Sequence, residues 1–148
     1  MLRLHLLVAA NTAVLLGCGP TSTRPPTHPT SGHVLRDDKP VENAIITFRP
    51  VDGQHPANGV TDASGRYKLT TFSKGDGAMA GQYRVVIVKY PQRQQSPDAT
   101  AVEEYVPVMG PTPQPRNLLP EKYASADHSE LTADIRPKEK NNFDFTID

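Results

Sequence analysis

The sequence predicts an all-β fold, a single antiparallel β-sandwich of about seven strands behind an exported, proline-rich leader. Three observations carry that expectation. Short runs of alternating apolar and polar residues recur between turn residues, with the spacing of sandwich strands. Proline is dense, at 15 of 148 residues, and each ring removes a backbone donor and clashes with the preceding helical turn, which disfavours long helices. The chain has one cysteine and no tryptophan, so no disulfide within the chain staples it, and at this length a hydrophobic core suffices for folding.

The elements follow in order. Ser31–Arg36 is the first expected strand, and Asp37-Asp38-Lys39-Pro40 the turn after it, because short acids bond their own backbone and proline presets φ. In Ala44–Arg49 the alternation places Ala44, Ile46 and Phe48 on one face. Gly59-Val60-Thr61 and Arg66–Thr70, joined through Asp62-Ala63-Ser64-Gly65, read as a hairpin with Gly65 at a positive φ and with Tyr67 and Leu69 inward. Gln82–Tyr90 is the most apolar run and is assigned to a central strand covered on both faces. Leu131–Ile135 and Asn142–Ile147 complete the set.

The first 17 residues have the form of a cleavable export signal: charged Arg3, then a largely apolar stretch from Leu4 to Leu16, too short for a bilayer-spanning helix. Leu15-Leu16-Gly17-Cys18 resembles the lipobox of bacterial lipoproteins. That resemblance implies a diacylglycerol on the Cys18 sulfur and cleavage before it, so two or three acyl chains hold the protein on a membrane. Gly19 in place of an aspartate favours the outer membrane or cell surface over the inner membrane. Residues 18–30, rich in proline and threonine, read as an extended tether able to hold the domain roughly 30–35 Å from the lipid.

A second resemblance covers the expected domain, 31–148, apart from an unmatched loop. Gly32-x-Val34, Pro40-Val41-x-x-Ala44-x-Ile46-x-Phe48-x-Pro50, Thr61-Asp62-x-x-Gly65-x-Tyr67-x-Leu69 and Gly81-x-Tyr83-x-Val85 stand in order and resemble the carboxypeptidase regulatory-like domain. That family has a transthyretin-like (prealbumin-like) sandwich, related in architecture to immunoglobulin-like domains. The resemblance implies a fold without catalytic residues of its own. Relatives of the Cna-B type carry an isopeptide bond from a first-strand lysine; here that strand offers Arg36 and no lysine, so no such crosslink is expected.

The chemistry-bearing residues give no enzyme signature. The five histidines, His5, His28, His33, His55 and His128, show no zinc-ligand spacing, and neither a metal nor a cofactor is expected. Asp62, with Asp37, Asp38 or Asp76, could contribute to a calcium loop, but an Asx turn explains it better. Formal net charge is zero and no basic stripe with interleaved aromatics occurs, so nucleic acid is not an expected partner. The loop 91–118 is long and proline-rich, and its Tyr105, Val108 and Met109 form the expected partner-binding patch.

The function expected from the sequence is a lipid-anchored extracytoplasmic module, structural or binding. Its expected partners are the membrane, through lipid on Cys18, and an envelope protein or glycan. The alternatives are a small envelope hydrolase or carbohydrate-active enzyme using Glu103, Glu104 or Glu121, and an accessory subunit of an envelope complex.

Overall fold

A computed structural model of the chain describes residues 24–92 and 115–148. Those residues are all-β apart from one short 3₁₀ turn, Glu121–Tyr123. The strands are β1 (Thr27–His28), β2 (Thr30–Arg36), β3 (Lys39–Pro40), β4 (Ile45–Pro50), β5 (Ala57–Val60), β6 (Arg66–Lys68), β7 (Ala78–Met79), β8 (Gly81–Val88), β9 (Thr132–Ile135), β10 (Asn141–Asn142) and β11 (Phe145–Ile147). Seven of these have three residues or more. No helix among the described residues is long and apolar enough to cross a membrane.

Two sheets and a small ribbon organise the strands. The four-stranded sheet runs β5-β4-β8-β9 and is antiparallel throughout. The other is built on β2, which pairs with β6 and β3 on one side and with β10 and β11 on the other. β1 pairs with β7. Val34, Tyr67, Phe145 and Ile147 of the β2 sheet join Ile46, Phe48, Val85 and Ile87 of the four-stranded sheet in one buried cluster. Alternation explains the selection, since every second residue of a strand faces the same side.

Several expectations hold at residue level. Ala44, Ile46 and Phe48 are fully buried while Ile45 is exposed. Tyr67 and Leu69 point inward, and Gly65 has φ +74°. β8 lies between β4 and β9, and Val85, Val86 and Ile87 are all buried along it. At Asp37-Asp38 both residues have positive φ, 48° and 59°, the geometry of a two-residue turn whose twist matches its flanking strands. β2 and β3 accordingly pair across it, Leu35 with Pro40 and Arg36 with Lys39.

Three expectations are corrected. The β2 sheet is mixed, not antiparallel: β10 and β11 run parallel to β2. The chain reaches β10 from β9 in the opposite sheet, so Arg136–Lys140 is a crossing between sheets that delivers the last strand alongside the start of β2. The Gly59–Thr70 hairpin opens in the same way. β5 pairs with β4 and β6 with β2, so the two touch only at the Asn58–Thr70 bridge. The tether ends earlier than residue 30: Thr27–His28 is a strand, Thr30 is buried, and Thr30 Oγ1 donates to the His28 carbonyl at 2.8 Å. Pro29 does not prevent this, because a proline at a strand edge removes no ladder bond.

Candidate functional site

The outward face of β2 and β6 carries an open groove of about 660 Å³. Strand register builds it. Ser31 stands opposite Lys68 on one side and Asn142 on the other, and His33 stands opposite Arg66. These residues therefore project to one face, while Gly32 and Val34 between them turn to the core. The loop after β6 closes one end with Thr70, Lys74 and Gly75.

The polar contacts in the groove are specific. Asp144 Oδ1 accepts from the backbone N–H of His33 at 2.8 Å and lies 3.1 Å from its Nδ1. The His33 side chain is the main reason that the Asp144 carboxyl is held below its ordinary value. Ser31 Oγ reaches Asn142 Oδ1 at 3.4 Å, so the hydroxyl turns toward the last strand. Tyr67 donates from its buried hydroxyl to the Phe143 carbonyl at 2.7 Å. Burial, and then the charge of Asp144, raise its phenol above the usual range, which keeps it protonated at neutral pH.

Two of the carboxylates considered for calcium, Asp62 and Asp76, are occupied by the protein's own donors. Asp62 Oδ1 accepts from Ser64 N, Ser64 Oγ and Arg66 N at 2.6–3.0 Å. Asp76 accepts from the backbone N–H groups of Thr71, Phe72 and Ser73. Both are turn-forming arrangements. Among the described residues no group of three or more His, Cys, Asp or Glu is placed to hold a metal. His33 is paired with Asp144, and His55 packs edge-on to Phe72.

Lys68 and Lys74 differ from the other groove residues. Among the described residues no carboxylate lies within ion-pair distance of either, whereas Arg66 Nε stands 3.9 Å from Asp62. The groove therefore offers ammonium, guanidinium, hydroxyl and amide donors to solvent. Such a surface can hold an anionic or hydroxyl-rich ligand by hydrogen bonds and charge. Two smaller hollows exist, one of about 300 Å³ beside Arg36, Lys39 and Lys89, the other of about 390 Å³ beside Val51, Tyr83 and Phe143.

Cys18, Tyr105, Val108 and Met109 lie outside the described residues, as do Glu103 and Glu104. Glu121 opens the 3₁₀ turn and is exposed. The sequence did not disclose the pairing of His33 with Asp144, 111 residues apart, because no local pattern encodes which strands become neighbours. Comparison with protein-family models, curated proteins and solved structures gives no match to this chain.

Proposed function

We propose that the protein is a lipid-anchored module of the bacterial cell envelope, a transthyretin-like β-sandwich with a structural or binding role and no catalysis of its own. Cys18 is the lipidated residue and the first residue of the mature chain. The observation that carries this reading is the Leu15-Leu16-Gly17-Cys18 sequence, following an export signal and standing six residues ahead of Arg24, where the described structure begins. The sandwich reading draws support from two sheets that fill a single core. The binding role draws support from the open groove, whose lysines are free of carboxylate partners among the described residues.

The anchor is tested by exchanging Cys18→Ser in the full chain and following labelled palmitate and membrane fractionation. Wild type incorporates the label and pellets with membranes. The variant loses the label and retains its uncleaved leader. Equal labelling of the two would refute lipidation at Cys18.

A further inference from the structure

We propose that the end of the fold joined to the tether is a docking face for an anionic lipid surface, made by Arg24, Lys68, Lys74, Lys138 and Lys140. The proposal rests on the Cys18 anchor and names what the groove end meets.

Strand register brings these residues to one end. β2 starts at Thr30, opposite Asn141 of β10, and Lys68 lies across from Ser31. Lys138 and Lys140 belong to the crossing that leads into β10. Lys74 sits in the loop between Thr70 and Gly77, and this loop packs against the incoming chain: a Cβ on Gly77 would fall 1.8 Å from the His28 carbonyl oxygen. Arg24 completes the face, its guanidinium 5.8 Å from the ring centre of Phe72 in that same loop.

Lys68, Lys74, Lys138 and Lys140 are exposed, and none has a carboxylate within ion-pair distance among the described residues. Of the acids at this end, Asp76 is turned onto backbone N–H groups, Asp134 and Glu139 are taken by Arg136, and Asp52, beside Gly81, accepts from the Gln54 amide. At the opposite end of β2 the acids Asp37, Asp38, Glu42 and, after β11, Asp148 stand among the cations Arg36, Lys39, Lys89 and Lys122, so the charges there balance.

The tether fixes which end meets the membrane. Between Cys18 and Arg24 the backbone spans at most about 20 Å when fully extended, less than the diameter of roughly 35 Å expected for a compact fold of this size. The lysine end thus stays close to the headgroups, where basic side chains within a Debye length of an anionic surface are attracted. Lipid anchoring raises the local concentration of that surface, so a weak charge interaction suffices to orient the fold.

The test reconstitutes the full, lipidated chain into vesicles of phosphatidylcholine, alone or mixed with phosphatidylglycerol, and measures labelling by a membrane-impermeant amine reagent. Lys39, exposed at the far end of β2, is the internal reference. Expected is a several-fold slower labelling of Lys74 and Lys138 relative to Lys39 in the anionic vesicles, abolished by high salt and absent in phosphatidylcholine. Equal relative rates in both lipids would overturn the docking face while leaving the anchor intact. Protection found only in whole envelopes would overturn it in favour of a protein or glycan partner. Failure to float with either vesicle would refute the anchor, and the docking face with it. Flotation with anionic vesicles alone would remove the anchor and support the lysine face.

Discussion

Phe48 is the residue on which the packing converges. It is fully buried, and four aromatic rings surround it: Tyr83 at 5.9 Å, Phe143 and Phe145 at 6.1 Å, and Tyr67 at 6.2 Å between centroids. The tilted and edge-on geometries suit the ring quadrupoles. The two tyrosines extend this cluster outward by donating to main-chain carbonyls, Tyr67 to Phe143 and Tyr83 to Met79, so no buried hydroxyl is left without a partner. Phe48→Ala would remove the ring around which both sheets pack and leave a cavity that neighbouring strands cannot close. The expected loss is about 3–5 kcal/mol, a large part of the stability of a domain this size, read as a lower midpoint in urea denaturation. An unchanged midpoint would mean that the core does not centre on this ring.

β2 is the element that ties the β2 sheet together, since four other strands pair with it. At Gly32 it passes tightly against the segment between β10 and β11: an added Cβ would fall 1.8 Å from the Phe143 carbonyl oxygen and 2.8 Å from the Tyr67 hydroxyl. Both obstacles are fixed, one being backbone and the other hydrogen-bonded to that backbone. Gly32→Ala should therefore push the Phe143 segment outward and cost about 2 kcal/mol, in the range of overpacked cores. Thermal unfolding checks it: a lower midpoint is expected, while a wild-type midpoint would refute the close approach. Hydrophobic alternation made β4 and β6 legible in the sequence because burial selects every second residue, and β8 was legible from its continuous apolar run, of which Val85, Val86 and Ile87 are all buried. The same alternation ran unbroken through Asn142–Ile147 and concealed the interruption at Phe143-Asp144, which splits the segment into β10 and β11. Strand partners were not legible either. Pairing of β5 with β4 and of β6 with β2 depends on contacts distant in sequence, so the groove, which needs β2, β6 and β10 side by side, could not be read from local pattern.

At the scale of the whole molecule, zero net charge conceals carboxylates held below their ordinary pKa. Asp62 is lowered chiefly by the Ser64 hydroxyl and then by the Arg66 backbone N–H. Asp144 is lowered chiefly by His33, and Asp148 falls to about 2 through Lys122 and Tyr123. For Asp76 partial burial acts upward, but the N–H groups of Thr71, Ser73 and Phe72 outweigh it. A carboxylate whose folded pKa is depressed stabilises the fold above its unfolded pKa, here 3.8. That stabilisation is lost as pH falls through the folded value. The melting temperature should thus stay level from neutral pH to about pH 5 and decline from about pH 4 toward pH 2. Because these groups are largely exposed, each contributes little, and the Lys122–Asp148 share should shrink with added salt. Protonation also leaves the lysines uncompensated, and their repulsion lowers stability over the same range. Asp76→Asn separates the two effects: it keeps an oxygen acceptor for the loop but cannot titrate. The variant should be less stable than wild type at neutral pH, and the difference should narrow below pH 4 as the wild-type carboxyl loses its charge. A difference that stays constant from neutral pH to about pH 2 would assign the acid decline to repulsion among the cations and leave no role for the Asp76 turn.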